Sequence, residues 1–244
     1  MPPVLPDLGR NIFLVPAGEC RMRSALAEKI VTTEGREHRA PLGGGLKRAL
    51  DIIVALLALA FLSPVMMFVA LAIKLTMGGP VIYAHRRVGH NGIPFQCYKF
   101  RTMIQSSEEF MRSYLAANPD AAQEWAATRK LKKDPRVTFL GNVLRRSSLD
   151  ELPQFINVLR GEMSCVGPRP VVDDELKFYG TNASQYLQAR PGLTGAWQVS
   201  GRSNTTYDER VAMDCQYVRE WSLWTDIVIL VKTIPAAVAL RGSC

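Results

Sequence analysis

The stretch IIVALLALAFLSPVMMFVALAI, residues 52 to 73, carries 22 residues without a charge. About 20 apolar residues cross a bilayer core, so this block is long enough to enter one. Ser63-Pro64 sits at its centre. Proline removes a backbone donor and clashes with the preceding turn, so the helix is expected to bend or break there. Three arrangements follow: a kinked spanning helix, a hairpin that enters and leaves by one face, or a core helix of a soluble protein. Lys47 and Arg48 precede the block, and Lys74, Arg86 and Arg87 follow it. Positive residues mark the cytoplasmic side of a membrane segment. Both flanks carry them, which suits a re-entrant hairpin better than a single span.

Outward from the block, residues 1 to 44 mix proline, glycine and charge without sustained periodicity, and they read as a mobile tail. Their start, MPPVLPDLGR, lacks the basic-then-apolar layout of a signal peptide. On the other side, Pro80 to Ala84 has the composition of a short strand, and Gly89-His90-Asn91-Gly92 that of a turn. Pro94 to Met103 then completes a hairpin. Residues 105 to 132 predict a polar helical pair interrupted at Asn118-Pro119. Ser148 to Leu159 and Tyr207 to Trp224 read as further helices. The apolar segment Asp226 to Leu240 is too short to span; it is either an interfacial helix, with Trp221 and Trp224 at headgroup level, or a core helix. No internal repeat is evident.

The chain of 244 residues fits one domain plus a tail, and its formal charge of +8 calls for an anionic partner: nucleic acid, a phosphorylated substrate or an acidic membrane face. Five scattered cysteines without a CxxC pair exclude a zinc ribbon or a dithiol motif and read as reduced thiols. His38, His85 and His90 have no metal-ligand spacing.

The stretch richest in chemistry is Arg145-Arg146-Ser147-Ser148-Leu149-Asp150-Glu151-Leu152-Pro153-Gln154. Ser148 with Glu151 three residues on is a capping-box pattern, in which both carboxylates would only serve a helix start. The same residues also describe a site. A helix N-terminus behind two arginines attracts phosphate, and adjacent carboxylates with phosphate are the usual company of magnesium. Further cations lie in Lys99-Phe100-Arg101-Thr102-Met103, Asp134-Pro135-Arg136-Val137-Thr138, Gly167-Pro168-Arg169-Pro170 and the glycine-rich run from Pro191 to Arg202. Each is weak alone, and none is a phosphate-loop or dinucleotide fingerprint. Together they offer several arginines for bidentate phosphate binding.

The apolar block with its Ser-Pro, then KFRTM, DPRVT, RRSSLDELPQ, GPRP and PGLTGAWQVSGR, in that order, resembles the bacterial sugar transferase family. These are the monotopic phosphoglycosyl transferases that begin surface-polysaccharide assembly. The resemblance covers residues 44 to 243 and is nearest to the exopolysaccharide-initiating members. It implies a membrane-associated α/β fold, mostly helical, with a small β-hairpin, one re-entrant helix broken at Ser63-Pro64 and interfacial amphipathic helices. The domain would run from 45 to 244. Asp150 would be the nucleophile and Glu151 would hold Mg²⁺. Arg145, Arg169 and Arg202 would contact phosphate or nucleotide, with Arg146, Lys99 and Arg101 beside them. The implied reaction moves galactose or glucose 1-phosphate from a UDP-sugar to undecaprenyl phosphate through an aspartyl phosphosugar, releasing UMP. It would take place on the cytoplasmic face of the inner membrane, against membrane lipid, with homo-oligomerisation left open. The core motifs show no departure that suggests an inactive relative.

Two other classes are weaker. A nucleic-acid-binding protein fits the charge, but there is no helix-turn-helix, RNP or zinc-finger pattern, and the apolar block stays unexplained. A membrane scaffold fits the block and its basic flanks but has no use for paired carboxylates behind two arginines.

Overall fold

The computed structural model describes residues 40–128, 131, 133–200 and 206–238. The proposed mobile tail therefore lies outside the described residues, apart from its last few positions. The first element, α1, runs Gly44–Met77. A hairpin of β1 (Ile82–Val88) and β2 (Pro94–Phe100) follows, then α2 (Ser107–Ala117), α3 (Pro119–Thr128) and α4 (Phe139–Arg146). Next come a 3₁₀ turn (Leu149–Glu151), α5 (Gln154–Arg160), β3 (Ser164–Val166), α6 (Asp173–Leu176) and α7 (Ala183–Tyr186). The chain continues through β4 (Gly192–Thr194), α8 (Ala196–Ser200), α9 (Tyr207–Arg219) and α10 (Leu223–Val238). The described residues are mostly helical, with one antiparallel and one parallel two-stranded sheet.

α1 continues through Ser63-Pro64 without an interruption, so the expected break is absent from its helical assignment. The local chemistry accounts for this. Proline 64 cannot donate to the carbonyl of residue 60, and the Ser63 hydroxyl donates to that Ala60 carbonyl instead, at 3.0 Å. Only 11% of the most apolar 18-residue window of α1 is buried, unlike the mostly buried core helix of a soluble protein, and this fits a membrane location. Leu57, Phe61, Met67 and Phe68 are all exposed along its middle. Its two ends behave differently. Lys47, Asp51 and Ala55 are buried near the start, and Val69 and Ile73 near the finish.

The N-terminal end is held by a buried polar knot. Lys47 Nζ donates to Asp226 Oδ2 at 2.6 Å, to the Val166 carbonyl at 2.9 Å and to Tyr217 Oη at 3.2 Å. Asp226 also accepts from Tyr217 at 2.6 Å and from Trp221 Nε1 at 3.1 Å. One turn on, Asp51 accepts from Ser164 Oγ and the Cys165 amide, both at 2.9 Å. Arg48 donates to the carbonyls of Val158 and Leu159, capping the C-terminal turn of α5 at 2.5 and 2.8 Å. These bonds draw α1, α5, β3, α9 and α10 into one core with Phe95, Met163, Trp197 and Ile229. A separate cluster of Val69, Ile73, Phe100 and Leu144 seats the far end of α1 on the hairpin and α4.

The hairpin is longer in its first strand than expected: β1 continues to Val88, with Val88 opposite Pro94 and Ile82 opposite Phe100. Its second half is charged, and Arg87 turns inward to the Glu175 carboxylate and the Pro170 carbonyl, both at 3.3 Å. The helical pair interrupted at Asn118-Pro119 is present. The single helix expected from Ser148 to Leu159 is divided into the 3₁₀ turn and α5, because Pro153 cannot donate into a continuous ladder. α10 combines both of its expected roles: Asp226 and Ile229 are buried, while Trp224, Val231 and Ile234 are exposed. Trp221 is half-buried, and its indole N–H donates internally to Asp226 at 3.1 Å. Cys97, Cys165 and Cys215 are free and buried, in line with reduced thiols.

Removing Lys47 leaves the Asp226 carboxylate buried with its cation gone, a change that costs about 3–5 kcal/mol. Lys47→Ala is therefore expected to lower unfolding stability by that order in detergent-solubilised protein. A loss under about 1 kcal/mol would show that the knot is not what holds α1.

Candidate active site

Asp150 and Glu151 occupy the 3₁₀ turn between α4 and α5. The turn is entered through Ser148, whose φ of 56° and ψ of 15° lie in the left-handed region that a non-glycine residue rarely adopts. The Ser148 side chain makes no capping bond. Glu151 turns to β2 instead, where Lys99 Nζ meets its Oε1 at 2.7 Å. The capping-box alternative thus fails on both halves.

α4 brings the arginines. Thr138 caps it by accepting from the Gly141 amide at 2.9 Å. Gly141 is required by close approach, since a Cβ there would lie 2.0 Å from the Thr102 carbonyl oxygen. This contact seats α4 on the end of β2, and Arg145 Nε donates to Thr102 Oγ1 at 2.9 Å. Arg146 is exposed and has no hydrogen bond or ion pair among the described residues.

Only 8% of Asp150 is accessible. Burial and the neighbouring Glu151 charge push its carboxyl up to about 6, against the downward pull of Lys99 and Arg145. Glu151 moves the other way. Burial raises it, but Lys99, then Arg169 and Arg87, bring it below the ordinary glutamate range. For Lys99, burial lowers the ammonium, yet Glu151 and Asp150 hold it above the usual lysine value. Two adjacent carboxylates in one field therefore differ in proton affinity, a division of labour typical of catalytic pairs.

The Gly167–Pro170 turn and the Pro191–Gly195 run are parts of one junction. Gly167 donates to the Thr194 carbonyl at 2.9 Å and Gly192 to the Pro168 carbonyl at 2.7 Å. A Cβ on Gly192 would lie 2.2 Å from the Gly167 nitrogen, so glycine permits this approach. The Arg169 guanidinium emerges from the junction over the Trp197 ring, 5.5 Å from its centroid, with Arg210 at 4.7 Å from the same ring.

The structure thus gathers Lys99, Arg145 and Arg169 about the carboxylates. Arg101 is turned away from them. Its side chain is 7% exposed, and Nη2 donates to the carbonyls of Met77 and Gly78 at the end of α1. Arg202 lies outside the described residues. Arg87 and Trp197 belong to the site although the sequence did not mark them for it. Arg87 stands in a strand where its direction depends on register, and Trp197 lies in the PGLTGAWQVSGR motif without a role of its own being marked.

No group of three or more His, Cys, Asp or Glu side chains suited to a metal occurs among the described residues. Two adjacent carboxylates nevertheless match the modest protein donor set of Mg²⁺, which completes its shell with water and substrate phosphate.

The pKa direction carries a stability consequence. Between about pH 4 and 6 the folded protein holds the Asp150 proton more tightly than the unfolded chain, so ionisation of Asp150 lowers stability as pH rises through that window. Asp150→Asn is expected to be more thermostable than the unsubstituted protein at pH 8. The gap should shrink below pH 5. Equal melting temperatures at pH 8 would contradict the buried, charge-strained carboxylate.

A family model described as bacterial sugar transferase matches residues 43–240. The chain is 55% identical over 203 residues to the exopolysaccharide production protein ExoY of Rhizobium meliloti, covering 83% of this chain and 90% of that protein. It is 52% identical over 197 residues to undecaprenyl-phosphate galactose phosphotransferase of Salmonella typhimurium, covering 80% of this chain and 40% of the other. It is 41% identical over 198 residues to UDP-glucose:undecaprenyl-phosphate glucose-1-phosphate transferase of Caulobacter vibrioides, covering 78% of this chain and 68% of that one.

Proposed function

The chain belongs to the bacterial sugar transferase family, and on that premise we propose that it transfers hexose 1-phosphate, galactose or glucose, from a UDP-sugar to undecaprenyl phosphate. The observation that carries the reading is the Asp150–Glu151 pair: one carboxylate buried with a raised proton affinity, the other ion-paired to Lys99 at 2.7 Å. The relatives named for galactose and glucose phosphate transfer to undecaprenyl phosphate support the substrate class. The relative named for exopolysaccharide production supports a role in making such a polymer, and we place the reaction at its start.

In this mechanism an Asp150 carboxylate oxygen attacks the β-phosphorus of the UDP-hexose. The bond to the bridging oxygen breaks, UMP leaves with the electron pair, and an aspartyl phosphosugar remains. An oxygen of undecaprenyl phosphate then attacks the same phosphorus, forming the lipid diphosphate and restoring the carboxylate. Dividing the transfer avoids one direct meeting of two anions. Arg145 and Arg169 would carry substrate phosphate charge, Lys99 holds Glu151 in place, and Arg146 and Arg202 would add to the anion field. Glu151, with Asp150 beside it, would hold Mg²⁺, which when bound neutralises phosphate charge.

A re-entrant α1 accounts for the ends of the helix better than a span does. Both ends pack on the same body, at Lys47–Ala55 and Val69–Ile73, while the middle is apolar and exposed. Residues 56 to 68 rise only about 20 Å, less than the ~30 Å core of a bilayer. With the basic flanks this supports a catalytic part on the cytoplasmic face of the inner membrane, against its lipid. The exposed Trp224, Val231 and Ile234 of α10 and Phe139 of α4 supply further apolar contact. A cavity of about 560 Å³, lined by Thr76, Met77, Ile104, Gln105, Thr138, Phe139 and Leu140, offers room for part of the acceptor chain at the end of α1.

UMP release across a panel of UDP-sugars, with undecaprenyl phosphate in detergent or nanodiscs, tests the reaction and identifies the sugar. Asp150→Asn should release no UMP and form no phosphosugar adduct while still sedimenting with membranes. Full turnover by this variant would remove Asp150 as the nucleophile.

Glu151→Gln should raise the magnesium concentration needed for half-maximal rate by about tenfold or abolish activity. An unchanged magnesium dependence would assign Glu151 to the Lys99 ion pair alone.

A further inference from the structure

β1 carries two side chains, Tyr83 and His85, to which the proposed transfer gives no part. Tyr83, His85 and Arg87 alternate onto one face of the hairpin, where their cross-strand partners are Lys99, Cys97 and Phe95. Cys97 and Phe95 are buried, whereas His85 is half-buried and Tyr83 is 52% exposed. Lys99, directly opposite Tyr83 and diagonal to His85, is the residue that pairs with Glu151 at 2.7 Å. At the other end of the strand, Arg87 donates to the Pro170 carbonyl at 3.3 Å, next to Arg169. Along β1, His85 therefore stands between the partner of the acidic pair and the strap on the Arg169 turn.

The bonding of His85 fixes its chemistry. Arg87 Nη2 donates to His85 Nδ1 at 3.1 Å. A guanidinium has no lone pair to offer, so Nδ1 carries the lone pair and the proton of the neutral ring sits on Nε2. Nε2 itself has no hydrogen-bond partner among the described residues. Burial first, then Arg87 and Lys99, hold the imidazole below the usual histidine range, with Glu175 opposing. The outcome is one uncharged, directional N–H donor in a field made otherwise of cations. The Tyr83 ring stands beside it, tilted by 45° with its centroid 5.9 Å from that of the imidazole.

A nucleotide sugar presents two kinds of group to such a surface. Its phosphates are anions and suit Arg145 and Arg169. Its hexose is neutral, with hydroxyl oxygens and apolar C–H faces, and suits a neutral donor next to an accessible aromatic ring. We propose that Tyr83 and His85 form the hexose subsite of the donor: His85 Nε2–H donates to a hexose hydroxyl oxygen, and the Tyr83 ring packs on a face of the sugar. The inference rests on the phosphotransfer reading above. It assigns sugar discrimination to β1 and leaves the arginine-bearing turns to the diphosphate.

The test compares UDP-galactose and UDP-glucose with UDP, which has the diphosphate but no sugar. Binding is measured on the full chain in nanodiscs carrying Asp150→Asn, so that the donor is not consumed. His85→Leu should weaken binding of the better UDP-hexose about tenfold and leave UDP within about twofold. His85→Gln should restore most of the hexose affinity, because its carboxamide accepts from Arg87 and donates as the neutral imidazole does. Tyr83→Ala should weaken the UDP-hexose about fivefold with UDP again unchanged, and it carries the test if His85→Leu does not fold. Equal weakening of UDP and UDP-hexose would make His85 a support for Arg87 alone and overturn the proposal, as would unchanged UDP-hexose affinity. An imidazole ¹⁵N spectrum at pH 7 should show the neutral Nε2–H tautomer; a protonated ring or the Nδ1–H tautomer would also overturn it. Absence of UMP release by the unsubstituted protein from either UDP-hexose would instead overturn the phosphotransfer reading. The contrast between UDP-hexose and UDP binding would still decide the subsite, and failure of both sugars to bind would overturn both.

Discussion

A lysine ammonium buried 3% exposed between Asp226, Tyr217 and a β3 carbonyl is the contact on which this architecture depends. A buried ion pair stabilises little compared with apolar packing of the same volume, but it tolerates few alternative arrangements. Here it joins the first turn of an apolar helix to α10, the last described helix, far apart in sequence. Arg48, one residue on, fixes the C-terminal turn of α5. α5 in turn begins where the 3₁₀ turn with Asp150 and Glu151 ends. The exposed apolar helix and the carboxylates are thereby joined through one connected set of contacts.

The carboxylate pair itself shows signs of being arranged for chemistry at some expense to stability. Ser148 adopts a left-handed backbone that costs on the order of 1 kcal/mol in a non-glycine residue. Asp150 is buried next to a second carboxylate, and Lys99 is bonded to Glu151 rather than to it. The fields of Lys99, Arg145, Arg169 and Arg87 leave a positive surplus about the pair. Such a surplus is unfavourable in the empty protein and suited to a diphosphate anion.

Some elements were legible because they are written locally. The 22 uncharged residues, the hairpin turn at Gly89–Gly92 and the interruption at Asn118-Pro119 follow from hydropathy and from the conformational limits of glycine and proline. Others were not. β3 and β4 are three residues each and pair in parallel across 25 intervening residues, which no local pattern announces. Pro64 argued for a break, yet the preceding serine hydroxyl supplies the freed carbonyl with a donor. Arg101 looked like its neighbour Lys99 in the motif, but the chain leaves the strand there and turns the guanidinium to the end of α1.

From the sequence alone came the inventory: an apolar block able to enter a membrane, an acidic pair behind two arginines, and basic proline and glycine turns in a recognisable order. Residue type and short-range spacing suffice for these. The tertiary structure decided the roles. Lys99 rather than Ser148 engages Glu151, and Arg87 joins the site from a strand. Each of those outcomes depends on which buried donor meets which acceptor once the backbone has closed. That pairing is settled by desolvation in three dimensions, which a linear pattern does not encode.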